Sequence, residues 1–175
     1  AWGANAFSAD PEAIVTKLKA QCFTLLQESM TNENSFVRSA AVRAAGESGD
    51  SALIGLLKKG ASDIHPTTRL FSLQALVKIS AEDAFALAKI LLNDSDVWVQ
   101  GAALEALAET GGKKSVPLIK PFLKAPDVTV RLSAAASLYR LGYKDSLPLI
   151  LDTLKGTDAT LRYQAIGHLG KIGTA

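Results

Sequence analysis

Stepping along the chain by 31 residues returns the same kind of side chain. From Arg38 the step reaches Arg69, Gln100, Arg131 and Arg162, and from Leu25 it reaches Leu56, Leu87, Leu118 and Leu149. A small column reads Ala41, Ser72, Ala103, Ala134, Ala165, and an aliphatic one reads Ala45, Leu76, Leu107, Leu138, Leu169. A fifth reads Gly49, Ser80, Gly111, Gly142, Gly173. All five hold register without an insertion, so the chain repeats one supersecondary unit. A unit this short cannot cover its own apolar side. It has to stack on a neighbour, which makes an array the expected architecture.

Each unit carries two helical patterns. The second starts after Asn34, His65, Asp96, Asp127 or Asp158, and four of these five are residues that accept from the free amides of a first turn. Pro66 follows its cap, where proline costs no hydrogen bond. Apolar residues then recur at helical spacing, as in Val130, Ala134, Leu138 and Leu141, and the glycine column supplies left-handed stops, with Ser80 as the exception. The first helix of each unit centres on the leucine column. Pro117 and Pro148 fall in first turns, whereas Pro121 lies deeper and predicts a kink. The units are expected at 19–49, 50–80, 81–111, 112–142 and 143–173. Residues 1–18 form an extension that contains the start of the first helix, from near Pro11 to near Met30. Ala1 to Ser8, with Trp2 and Phe7, reads as a cover for the end of the first unit or as a processing remnant.

Composition removes several function classes. With 19 basic and 17 acidic residues the net charge is +2, too small to make a polyanion the default partner. No apolar run is long enough to span a membrane. One cysteine, Cys22, leaves no internal disulfide and is expected to pack as a small apolar residue. His65 and His168 have no histidine or cysteine at ligand spacing, so no metal and no cofactor are expected. No phosphate loop is present, because Gly111-Gly112 is a turn and Gly167-x-x-Gly170 lies within a helical pattern. The carboxylates Asp94, Asp96, Glu105 and Glu109 suggest no acid–base pair. No catalytic residue is assigned and the chain reads as a non-enzyme. A monomer is expected, in the cytoplasm in preference to the periplasm.

The segment Asp127-Val-Thr-Val130-Arg131-Leu-Ser-Ala134-Ala-Ala-Ser-Leu138, with its following glycine, resembles the HEAT repeat family. In particular it resembles the short class named after the phycobilisome lyase subunits. The resemblance covers residues 19–173 and implies an all-α, right-handed solenoid of five HEAT-like helix pairs. First helices would lie on the convex side and Val-Arg helices on the concave side. It also implies an Arg–Asp ladder between units, with Arg131 and Arg162 beside Asp127 and Asp158 and an interruption at Gln100. The di-iron hydroxylases of this family depend on His-Glu pairs, and this sequence has no His-Glu dipeptide. Fold resemblance alone does not fix a function.

Two surfaces compete for a functional role. On the second helices, the side opposite the core is expected to show Phe36, Leu70, Trp98, Leu132, Tyr139 and Tyr163 among Arg43, Gln74 and Glu105. Large apolar groups gathered on a concave face suit a partner peptide or helix, so the expected function is a non-catalytic protein-interaction scaffold. The alternative is nucleic-acid binding through Lys58, Lys89 and Lys120 on the convex side, disfavoured by the small net charge. A further alternative, an accessory subunit of a lyase-like complex, comes from the family resemblance only.

Overall fold

A computed structural model describes residues 10–173, and the expected role of Ala1 to Ser8 lies outside the described residues. The described chain is helical and contains no strand. The first helices of the units are α1 (Pro11–Ser29), α3 (Ile54–Gly60), α5 (Ala81–Leu91), α7 (Val116–Ile119) and α9 (Leu147–Lys155). The second helices are α2 (Ser35–Ser48), α4 (Pro66–Ile79), α6 (Val97–Gly111), α8 (Val128–Arg140) and α10 (Ala159–Gly173). The second helices stack in sequence order, α2 on α4, α4 on α6, α6 on α8 and α8 on α10, and α3, α5 and α9 each pack on the second helix of their own unit. This is an α-solenoid.

Local chemistry sets the helix ends. Asn34, Asp96, Asp127 and Asp158 accept from amides of the first turns at 2.8–3.3 Å. His65 caps as well, with Nδ1 accepting from Thr67 N at 3.3 Å. Ser80 ends α4 in an extended conformation and its hydroxyl then caps α5, so the unit without a closing glycine passes to the next through one dual-purpose residue. Gly49 and Gly142 stop α2 and α8 at positive φ. The left-handed residue after α6 is Gly112 rather than the expected Gly111. Gly111 is needed for another reason: a β-carbon there would collide with Phe85 and the Ser115 hydroxyl. The expected kink at Pro121 is a larger break. α7 stops after four residues and the chain tightens into a 3₁₀ segment over Lys120–Lys124. Proline lacks the amide that an α-turn would use there.

The core columns are shifted from one sequence expectation. The small column is buried throughout, and Ala45, Leu76, Leu107 and Leu138 are fully enclosed. In the first helices the deepest residues are Leu57, Ala88, Ile119 and Ile150, one position after the leucine column. Leu87 is half-buried and packs against both the core of units one and two and the core centred on α6. Leu87 therefore seals the seam between two cores, while the residues one position on fill the unit interiors. Leu25, in the first unit, is exposed on α1 together with Ile14, Val15 and Leu18. Cys22 lies on that same helix and is exposed, contrary to the expected packing, because the inward side of α1 is taken by Phe23, Leu26 and Met30.

The ladder between units also differs from the expected pairing. Arg38 Nε and Nη2 donate to Asp63 at 2.6 and 2.8 Å, and Arg69 does the same to Asp94 at 2.7 and 2.6 Å. The acceptor is the residue two before the cap in the following unit, not the cap itself. Asp127 and Asp158 are occupied by helix amides, so they do not pair with Arg131 and Arg162. Each arginine also points Nη1 at two carbonyls of its own inter-helix turn, Asn32 and Glu33 for Arg38, Asp63 and Ile64 for Arg69. Gln100 preserves half of this clamp by donating Nε2 to Asp94 O at 2.8 Å.

Candidate functional site

The stacked second helices align four columns toward one face: Phe36, Thr67, Trp98, Thr129, Thr160; Ala40, Phe71, Ala102, Ser133, Gln164; Arg43, Gln74, Glu105, Ala136, Gly167; and Glu47, Lys78, Glu109, Arg140, Lys171, of which Ser133, Ala136 and Gln164 are buried. The face curves inward. Lys171 on α10 donates to Glu105 on α6 at 2.6 Å, crossing over α8. That crossing is open because the α8 residue between them is Ala136, which does not rise above its helix.

Two adjoining grooves follow from the curvature. One, of about 330 Å³, runs between α2, α4 and α6, with Arg43, Phe71, Gln74, Lys78, Glu105 and Glu109 on its walls. Arg43 lies over the Phe71 ring at 5.5 Å from the centroid, which makes the aromatic wall half of a cation–π pair. The other, of about 260 Å³, lies between α6, α8 and α10. Leu70, Trp98 and Tyr163 supply its apolar walls, and Ser133, Gln164 and His168 its polar floor. Gln74, Ala102, Glu105 and Lys171 border both grooves.

Of the nine residues expected at the site, Arg43, Leu70, Gln74, Trp98, Glu105 and Tyr163 come together on these walls. Trp98 is 50% exposed and Tyr163 78%. Phe36 is exposed as well but lies outside both grooves, at the first turn of α2. Leu132 is a correction: it is fully buried and packs with Ala135, Ile150 and Ala165. Its column faces the next helix in the stack, so α10 covers it. Tyr139 is likewise drawn half-buried into that cluster. The helical wheel located the face opposite one core side but not the second flank that stacking covers. Phe71, Lys78, Gln164, His168 and Lys171 were missed. Reading the column at Phe71, one residue on from Leu70, would have found the first and third of them.

Electrostatically the face is close to balanced. Arg140 pairs with Glu109 at 3.8 Å and Arg43 with Glu47 at 4.0 Å. Glu105 receives Lys171 and faces His168 Nδ1 at 3.5 Å. Burial pushes the His168 imidazole below its ordinary range. The Glu105 carboxylate pulls it up, and Lys171 and Arg140 push it further down. The neutral ring is thus the favoured form in the folded chain. Among the described residues no cluster of three His, Cys, Asp or Glu side chains could hold a metal ion, and no helix is long and apolar enough to cross a membrane.

On the opposite side, the lysine row is largely engaged. Lys58 pairs with Asp83 at 2.5 Å and holds that carboxyl below the usual range, with help from the Ser80 hydroxyl. Lys89 lies over the Phe85 ring and Lys120 over the Tyr143 ring.

Comparison with known proteins agrees with this architecture. Similar solved structures include the complex of CpcE and CpcF of phycocyanin lyase from Nostoc sp. PCC7120, at 22% identity and a TM-score of 0.54 over 86% of this chain and 76% of that one. An engineered protein aligns at 18% identity and a TM-score of 0.50, covering 95% of this chain and 85% of its own. The YibA protein of E. coli aligns at 21% identity and a TM-score of 0.58, covering 93% of this chain and 63% of its own. At these identities the likeness is one of fold. No curated protein matches the sequence. The family model of HEAT repeats matches residues 84–170, and that part of the chain is built of HEAT repeats.

Proposed function

We propose that the chain is a non-catalytic scaffold that receives a peptide or helix of a partner protein on its concave face. The observation that carries this reading is the convergence of Leu70, Trp98 and Tyr163 on one groove beside a second groove walled by Arg43, Phe71, Gln74 and Glu105. A solvated helix face has no use for a half-exposed tryptophan beside an exposed tyrosine, whereas aromatic anchors in a preformed depression are what partner side chains fill. The stacked helices already hold the walls in place, so association would order mainly the incoming segment. Trp98 and Tyr163 act as apolar anchors; Gln74 and Glu105 orient the bound backbone from the rim shared by the two grooves.

The test is panning of a displayed peptide library on the purified chain. Sequences selected by the wild type should lose at least tenfold in affinity on Trp98→Ala or Tyr163→Ala and keep it on Phe36→Ala, which removes an exposed aromatic outside the grooves. Equal binding by all four folded proteins overturns the assignment. Nucleic-acid binding through Lys58, Lys89 and Lys120 is the weaker reading, because Asp83 neutralises the first and the other two are each engaged with an aromatic ring. A role in a lyase-like complex rests on likeness of fold alone and has no residue to carry it here.

A further inference from the structure

The arginine column has a property that the concave face does not use. Arg38, Arg69, Arg131 and Arg162 all hold the same posture, with Nη1 donating to the carbonyls six and five residues earlier at 2.6–3.1 Å. In Arg38 and Arg69 the remaining edge, Nε and Nη2, is filled side-on by the aspartate of the following unit. For Arg131 the equivalent position is Gly156, which has no side chain, and no carboxylate of a described residue pairs with it. The guanidinium is fixed in the orientation that receives a carboxylate, and the carboxylate is missing.

The surroundings change in the same direction. Reading the turn positions through the units gives Thr31-Asn32, Ser62-Asp63, Asn93-Asp94, Lys124-Ala125 and Lys155-Gly156. Where the ladder carboxylate is lost, a lysine appears beside it. Lys124, Lys155, Gly156 and Thr157 are exposed, and by the register that brings Arg38 to Asp63 and Arg69 to Asp94 the open edge of Arg131 is directed at a solvent-facing, locally basic turn. At Gln100 the opposite solution is found: the next unit offers Ala125 and the arginine itself is replaced. The third unit thus dispenses with both partners, whereas the fourth keeps the cation and dispenses only with the anion.

We propose that Arg131, with the Lys155–Thr157 turn, is a binding site for an aspartate or glutamate side chain of a partner polypeptide. A guanidinium edge matches a carboxylate through two parallel hydrogen bonds, and Arg69 with Asp94 displays that geometry within this chain. The neighbouring cap carboxylate, Asp158, is no obstacle. In the third unit Asp94 and the cap Asp96 share one turn, Asp94 accepting from Arg69 while Asp96 accepts from Trp98 and Val99 amides. The site lies on neither groove wall, so it stands independently of the groove reading.

The experiment follows the Arg131 Nε–H resonance of the ¹⁵N-labelled full chain during titration with capped pentaglutamate, capped pentaglutamine or inorganic phosphate at constant ionic strength. A saturable shift with pentaglutamate only is expected. Gly156→Asp should supply the carboxylate internally and weaken pentaglutamate binding at least tenfold, while Gly156→Asn, the steric control, leaves it within about threefold. A β-carbon at position 156 comes within 3.1 Å of Thr153 O, which both variants share, so their difference isolates the charge. Arg131→Gln, which lacks the reporting Nε–H, should abolish pentaglutamate binding as read by fluorescence of a labelled peptide, in a chain that still folds, since Gln100 already performs the clamp in the third unit. Equal response to pentaglutamine, saturation by phosphate without pentaglutamate, or full binding by Gly156→Asp would each overturn the proposal. Trp98→Ala should bind pentaglutamate like the wild type, which separates failure here from failure of the groove.

Discussion

Asp63 and Asp94 illustrate how a polar side chain becomes structural when a neighbour supplies its counter-charge. Both are nearly enclosed on the side-chain level, facing arginines almost as well covered. For Asp63 the hydrogen bonds from Arg38 outweigh burial and hold the carboxyl below its ordinary range. For Asp94 burial pulls upward, and Arg69 with the Asp96 amide overcomes it. Removing one partner leaves a covered charge unpaired, so Asp94→Ala should cost about 2–3 kcal/mol in urea unfolding at pH 7. Because both folded values are depressed, the stabilisation is present above about pH 4 and is lost as the pH falls through the folded values. The difference in urea midpoint between the wild type and Asp63→Asn/Asp94→Asn should therefore shrink steadily between pH 5 and pH 2.5. A constant difference would mean that the pairs are not ionised partners. His168 follows the same sign at higher pH. Its depressed value means that stability is full above about pH 6.5 and declines as the ring is forced to protonate. Histidine NMR should place its titration below the ordinary imidazole value of about 6.5, and His168→Gln should flatten the decline between pH 7 and pH 5.

At the scale of the helix, spacing between stacked elements is set by what has no side chain. A β-carbon on Gly46 would lie 2.5 Å from the Ala75 β-carbon on the next helix, where neither group can turn aside. On Gly101 the nearest atom is the Ser133 hydroxyl at 2.8 Å, which can rotate. Gly46→Ala should thus destabilise by about 1–3 kcal/mol, while Gly101→Ala should cost less than about 1 kcal/mol. Thermal unfolding of the two variants ranks them, and the reverse order would contradict the α2–α4 packing. Helix length obeys the same local logic. α7 is cut short by Pro121, yet α8 still finds cover, because Phe122 and Leu123 in the 3₁₀ segment pack against the core.

Across the whole molecule, stability is distributed along the stack and is deepest in its middle. α6 is flanked by α4 and α8 and holds Val99, Ala103, Leu104 and Leu107 out of solvent, whereas α1 has no buried residue within its length. An array of this kind opens from its ends. Hydrogen exchange should be slowest in α6 and fastest in α1. Leu104→Ala should cost about 2–5 kcal/mol, and Leu25→Ala, on an exposed face, less than about 0.5 kcal/mol. The inward curve has a consequence for function on the same scale: Lys171 and Glu105, two units apart, meet above α8 on the rim that the two grooves share.

The 31-residue rhythm alone determined that the chain is a row of helix pairs, because spacing within a unit fixes helix faces and spacing between units fixes that those faces align. Caps were legible for the same reason, since Asn34, Asp96, Asp127 and Asp158 act within their own turns. What the sequence did not disclose are relations that cross from one unit to the next. Leu132 and Trp98 read alike as large apolar groups on second helices, but only stacking covers the first and leaves the second half open. Arg69 and Arg131 read alike as members of one column, but only the neighbouring turn decides that the first pairs with Asp94 while the second, with Gly156 at the equivalent position, has no carboxylate there. Periodicity reports what each residue's own helix demands; the partner across a seam is chosen by how far the stack bends.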